Sequence, residues 1–368
     1  MGTGAFAVPS FAAVLADLRN EIVAVVTKPI SNDASAKGTK GSTSSNKPLP
    51  NPVLAWAQEN ALRIITPASI NSEESVEWLR EESADLLFVC DYGQILSRDA
   101  LSTAKRGGIN LHGSLLPRHR GAAPVQWSIL RGDSVTGVSV IHMTPKLDGG
   151  PIISQSTTTI GPRQTAQELE TELSSSGLAC SLQSIEAIFA NDDATVAVAA
   201  AAIQDPALVT PAPRLAKSDG QIDCRYDVTL IDRQFRGLQP WPGLYGNMMD
   251  DQQRSTRVIF GAVTPFARSS DAQPLDEQRY GQLLWGEQAC QAIGDSVWKS
   301  MESDGIRQSQ LLIVVCNNGF LRVDRIQPAG KRMLTSGEFL AGYSKNKSLH
   351  LEHVTPVACH PLLEKLLR

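Results

Sequence analysis

Residues 107–124 read Gly-Gly-Ile-Asn-Leu-His-Gly-Ser-Leu-Leu-Pro-Arg-His-Arg-Gly-Ala-Ala-Pro. The alternation over 109–112 predicts a short strand with Asn110 and His112 on one side. A helix is predicted over 123–131 and a further strand over 137–143. Upstream the same order repeats. A helical pattern over 6–15 leads to the β-branched run 22–27, then helix 52–60, strand 63–66, helix 73–83, strand 86–90 and helix 98–104. This alternation predicts an α/β domain with a Rossmann-like parallel sheet and helices on both faces. Thr165 and Glu168 stand in the T-x-x-E relation that caps a helix, which starts the long helix predicted over 166–190.

The chain is 368 residues long, so two domains are expected. Residues 205–214 (Asp-Pro-Ala-Leu-Val-Thr-Pro-Ala-Pro-Arg) concentrate prolines and are read as the linker between a domain over 1–204 and another over 215–368. Beyond the linker short β-rich pieces dominate, at 257–263, 282–285, 311–316 and 320–326, the last two flanking the turn Asn317-Asn318-Gly319. They predict a small antiparallel barrel.

Hydrophobic residues at 42% and charged residues at 20% exclude wholesale disorder, and the formal charge of −4 excludes a histone-like chain. Residues 1–205 hold 15 Lys and Arg against 21 Asp and Glu, whereas 206–368 hold 19 against 17. The second half is therefore the more compatible with a nucleic acid. Six cysteines (Cys90, Cys180, Cys224, Cys290, Cys316, Cys359) have no close pair in sequence and read as reduced thiols. The start of the chain lacks a signal-peptide pattern and no apolar run reaches the ~18 residues of a membrane span, so a cytoplasmic location is expected. Residues 31–50 are rich in Ser, Asn, Gly and Lys. They read either as a solvated loop or as a substrate-gripping loop in which Lys37, Lys40 and Lys47 order on a polyanion.

Asn110 and His112 fall at the C-terminal end of their strand, where open parallel sheets bind ligands. Downstream, Leu147-Asp148-Gly149-Gly150-Pro151 puts one carboxylate in a glycine-rich turn open to close approach of a ligand. An amide donor for an oxyanion, a proton-transferring imidazole and an acid that orients it suit acyl transfer. Met143, Met248 and Met249 read as packing residues, and His350, His353 and His360 are too irregularly placed for a metal site. Trp241 reads as an anchor packing between domains in preference to a base-stacking platform.

The string 110–124, with Leu147-Asp148-Gly149-Gly150-Pro151-Ile152, closely resembles the two signature loops of formyltetrahydrofolate-dependent formyltransferases. Residues 2–9, 121–126, 132–133, 240–243 and 327–332 resemble, in matching order, the branch of that family acting on methionyl-tRNA. The resemblance implies a Rossmann-like catalytic domain, a C-terminal barrel similar to an OB fold that helps hold initiator tRNA, and 10-formyltetrahydrofolate as formyl donor without a metal. It also implies that Asn110, His112 and Asp148 are catalytic and that Ser114, Leu115, Leu116 and Pro117 contact the folate. Methionyl initiator tRNA and the folate are then the partners of a monomer that stays off membranes. A 10-formyltetrahydrofolate hydrolase, a small-molecule amine formyltransferase, and a non-catalytic RNA- or folate-binding protein are the alternatives.

Four features depart from the family pattern. The family has a hydrophobic strand before the Gly-Thr opening, whereas this chain starts at Met1, and a misassigned start or truncation is expected. Asp91 replaces a small residue in the loop that lines the folate, Cys224 stands where Trp is common, and lysines take the place of arginine in 31–50.

Overall fold

The computed structural model describes residues 1–29, 51–190, 201–268, 276–345, 348–353 and 361–367, so the expectation placed on Lys37, Lys40 and Lys47 lies outside the described residues. By contact the chain divides into two compact units. The first comprises Met1–Val125, Ser134–Gly161 and Glu168–Pro213, and the second Gln126–Asp133, Pro162–Gln167 and Arg214–Arg368.

In chain order the first unit contains α1 (Val8–Ala16), β1 (Val25–Val26), α2 (Pro52–Glu59), β2 (Ile64–Ile65), α3 (Glu73–Glu81), β3 (Leu87–Cys90), α4 (Arg98–Leu101), β4 (Gly108–His112), β5 (Arg120–Gly121), the start of α5 (Pro124–Arg131), β6 (Val135–His142), β7 (Ile152–Thr159), most of α6 (Ala166–Phe189) and β8 (Pro211–Ala212). The expected α/β class is met. Asn51, Ser72 and Ser97 cap α2, α3 and α4 through their side-chain oxygens, which explains where those helices start. α6 begins at Ala166, directly after Thr165.

The sheet runs in the order β3-β4-β6-β7. β3 and β4 are parallel, as the alternation requires, but β6 is antiparallel to β4 and β7 to β6. The connection 113–134 returns the chain to the end at which β4 finished, since His112 pairs with Ser139 and Ile109 with His142. β7 (Ile-Ile-Ser-Gln-Ser-Thr-Thr-Thr) was not expected as a strand, because its polar run shows no apolar alternation; it lies at the sheet edge.

β1 and β2 form a separate parallel pair. Met1 and Gly2 lie between that pair and β3, with the Gly2 N–H donating to the Val26 carbonyl at 3.0 Å and the Cys90 N–H to the Met1 carbonyl at 2.9 Å. Ahead of Met1 is a cleft of about 710 Å³, lined by Val14, Val23, Trp56, Leu86, Phe88 and Ile185 among others.

The second unit contains α7 (Val228–Gly237), β9 (Leu244–Asp250), β10 (Ser255–Ala267), β11 (Gln282–Trp285), β12 (Leu312–Cys316), β13 (Gly319–Pro328), β14 (Leu334–Thr335) and β15 (Leu349–Leu351). Six of the strands close a barrel, each pairing antiparallel with the next in the circuit β9, β10, β13, β12, β11, β15 and back to β9. β10 pairs with β9 over Ser255–Phe260 and with β13 over Val258–Ala267, and its register on β13 shifts at a bulge between Phe260 and Val263. The expected turn joins β12 to β13, with Asn318 at φ 61°. Leu244, Phe260, Leu312, Leu321 and Ile326 fill the interior. The fold also places Cys224 beside Cys316 in that core, where the hydrogen bond between them and burial push the Cys224 thiol well up. Trp241 is 57% exposed.

Asp223, between the core residues Ile222 and Cys224, is buried, accepts from the Arg225 Nε at 2.9 Å and the Arg225 N–H at 3.1 Å and lies 3.7 Å from His353 Nδ1. Burial works against its charge, but these bonds override it and hold the carboxyl below the usual carboxylate range.

Two outcomes are expected. An apolar extension of about six or seven residues ahead of Met1, long enough for one strand, should seat in the cleft and raise both melting temperature and soluble yield; equal values for the two chains exclude this. Because the folded-state pKa of Asp223 is depressed, its stabilisation is present above the ordinary value of 3.8 and is lost as the pH falls below it. Asp223→Asn should therefore cost roughly 3 kcal/mol at neutral pH and flatten the acid side of the stability profile, as read by urea unfolding across a pH series.

Candidate active site

β4 is paired on both edges, with Asn110 opposite Val89 on β3 and Ile141 on β6. This double pairing fixes the backbone at Asn110, the pair of His112 with Ser139 on β6 fixes the strand end, and the period of two sends both side chains to one face as expected. His112 is buried and lies between two oxygen atoms. Its Nε2 is 2.9 Å from the His119 carbonyl. A carbonyl can only accept, so Nε2 carries a hydrogen and donates it. Its Nδ1 faces Asp148 Oδ1 at 3.8 Å, a charge contact longer than a hydrogen bond. Both nitrogens thus face oxygen atoms.

Asp148 is reached through the connection between β6 and β7. Its backbone is left-handed, at φ 47°, and its Oδ2 accepts the Gly121 N–H at 2.9 Å. Gly150 is required there, since a Cβ on it would stand 1.7 Å from the His142 carbonyl. The structure therefore brings His112 and Asp148 into direct contact, with Asn110 two residues earlier on the same strand.

The stretch 114–117 divides. Ser114 and Leu116 are buried and Leu115 and Pro117 half-buried. The Ser114 hydroxyl donates to the Arg118 carbonyl at 2.7 Å, closing the loop on itself. Ser139 links the loop to the sheet by donating to the Ser114 carbonyl at 2.6 Å and accepting the Leu116 N–H at 3.0 Å. Gln155 reinforces it from β7 through the Leu116 carbonyl at 3.0 Å.

Asp91 follows β3 in a left-handed turn at φ 49°. Its carboxyl fills the space that a Cβ on Gly4 would occupy, 1.7 Å from Oδ2. The larger residue at 91 is thus accommodated by glycine at 4. Burial pushes the Asp91 carboxyl up, against the Lys28 ammonium and the Gly4 N–H. Glu170 is raised by burial and then by the charge of Asp91.

Four residues not singled out by the sequence support this site. His119 is buried at φ 59°, and its N–H donates to Thr210 Oγ1 at 2.9 Å. Arg120 donates to Gln204 Oε1 through Nε at 3.0 Å and Nη2 at 2.6 Å. Gln204 Nε2 donates to the carbonyls of Asp148 at 2.9 Å and Gly150 at 2.7 Å. The proline pattern identified 205–214 as a connection, but carried no signal that Thr210 faces His119. Among the described residues no group of three or more His, Cys, Asp or Glu side chains could hold a metal ion.

Comparison with known families matches residues 4–183 to Formyl transferase and residues 214–344 to Formyl transferase, C-terminal domain. Among curated proteins the chain is 39% identical over 347 residues to a methionyl-tRNA formyltransferase of Rhodopirellula baltica, covering 93% of this chain and 92% of that protein. It is 37% identical over 341 residues to one of Salinispora arenicola, covering 93% and 95%. Among solved structures, an N-formyltransferase of Helicobacter canadensis in complex with folinic acid and dTDP-3-aminofucose shares the fold at TM-score 0.53 and 18% identity, covering 88% of this chain and 96% of that one. The chain belongs to the formyl transferase family, with methionyl-tRNA formyltransferases as relatives along both of its matched parts.

Proposed function

We propose that the protein transfers the formyl group of 10-formyltetrahydrofolate to the α-amine of methionyl initiator tRNA, in the cytoplasm and as a monomer. The supporting observation is the contact of His112 with Asp148 beside Asn110, in a chain similar to methionyl-tRNA formyltransferases over 93% of its length. Residues 1–204 are the catalytic domain, 205–214 the linker and 215–368 the tRNA-binding barrel. Leu115, Pro117 and the backbone around them face the folate, and Ser114 and Leu116 shape the loop from within.

In the reaction the amine lone pair attacks the formyl carbon and negative charge develops on the formyl oxygen. The amide of Asn110 donates to that oxygen, and the positive field of His112 stabilises it from beside the strand. Asp148 holds the imidazole oriented. As the tetrahedral intermediate collapses, the bond from carbon to N10 of the folate breaks. The proton lost by the amine passes to N10, carried by a water ordered among the three side chains.

Asn110→Ala, His112→Ala and Asp148→Ala are each expected to lower turnover by at least ~100-fold with folding unchanged. Near-normal turnover in any of them removes that residue from its role. Formyl transfer is to be followed with methionyl initiator tRNA, methionyl elongator tRNA, a free amine, or no acceptor. Transfer confined to the initiator supports the proposal, whereas donor consumption without an acceptor identifies a hydrolase. Neutralising Lys37, Lys40 and Lys47 together should raise KM for tRNA and flatten its salt dependence, leaving the folate KM in place. Unchanged tRNA kinetics across a salt series rules out their role in gripping the acceptor.

A further inference from the structure

We propose that residues 204–212 form a strap that positions the catalytic His112 and Asp148, with Thr210 and Gln204 as its two positioning residues; this rests on the roles given above to His112 and Asp148. The two residues on which the site's geometry turns, His119 and Asp148, are non-glycine residues in left-handed backbone, at φ 59° and φ 47°. Each such conformation is unfavourable for a residue with a Cβ and persists only where its surroundings enforce it. The strap bonds to both.

Thr210 acts on the histidine. Its hydroxyl accepts the His119 N–H at 2.9 Å, and its carbonyl accepts the Arg120 N–H at 2.9 Å. Those bonds fix the peptide on which the His119 carbonyl stands, and that carbonyl receives His112 Nε2. Parallel pairing of β5 with β8, Arg120 to Pro211 and Gly121 to Ala212, continues the clamp. Gly121 also supplies the N–H that holds the Asp148 carboxylate, and a Cβ on Gly121 would meet the Ala212 carbonyl at 2.3 Å.

Gln204 acts on the aspartate. It is 7% exposed, and its one amide group uses its nitrogen on the Asp148 and Gly150 carbonyls and its oxygen on Arg120. The two ring contacts of His112 are therefore set by two ends of one segment. Removing either end should loosen the reactive pair while leaving substrate pockets elsewhere intact.

The test uses the full chain. Thr210→Val removes the acceptor for the His119 N–H, and Thr210→Ser restores it. Thr210→Val is expected to lower kcat about tenfold with KM for both substrates unchanged, and Thr210→Ser to stay within about twofold of the parent. In a His112→Ala background Thr210→Val should have no further effect, because its action runs through that ring. The His112 Nε2–H resonance, followed with histidine-selective 15N labelling, should shift or broaden in Thr210→Val and not in Thr210→Ser. If Thr210→Val does not fold, Gln204→Met is to be measured in the same way, with an Asp148→Ala background for its cycle. An unchanged kcat and resonance, or a loss of equal size in the His112→Ala background, overturns the strap. Absence of formyl transfer by the parent chain instead overturns the reaction assigned above, and the resonance still tests the strap.

Discussion

The site depends on one constraint, that a carbonyl can only accept a hydrogen bond. Because the His119 carbonyl stands 2.9 Å from His112 Nε2, that nitrogen must keep its hydrogen, and only Nδ1 is left to respond to Asp148. The hydrogen on Nε2 is thus set by main chain. With both ring nitrogens facing oxygen, neither is turned to a new hydrogen bond with a substrate. In the proposed reaction that task falls to Asn110, on the same face of β4.

Holding a carbonyl in the right place requires a rigid frame, and the sheet provides it. β4 has partners on both edges as far as Leu111, and its last residue, His112, pairs with Ser139 of β6, so it cannot shift without breaking a pair of the sheet. Ser139 carries the order of the sheet into the loop after β4 through the Ser114 carbonyl and the Leu116 N–H. The same loop returns through Arg118 and His119 toward the histidine from which it departed.

Much of this was legible in the sequence because it depends on local periodicity. The short run Ile109-Asn110-Leu111-His112 shows which two polar residues share a face, and Gly149-Gly150 marks the turn that presents Asp148. The antiparallel turn of β6 was not legible, since strand direction depends on where the chain re-enters the sheet. Nor was β7, whose serines and threonines carry no alternation. Thr210 and Gln204 were hidden for a different reason. Their partners lie 91 and 84 residues away, and a single hydroxyl or amide leaves no periodic trace. The pairing of Asp91 with Gly4 was half visible, since the acid stood out but not the vacant Cβ that admits it.

The proline-rich stretch after residue 204 has the composition of a spacer, a kind of segment in which evolution ordinarily changes length freely. Here its hydrogen bonds extend to Ala212. A residue gained or lost between Gln204 and Thr210 would put the two anchors out of step with each other, whereas one added after Pro213 would leave both in place. Length drift along this lineage should therefore concentrate just past Pro213, and a fragment cut to the apparent end of the catalytic part would lack the piece that aligns its chemistry.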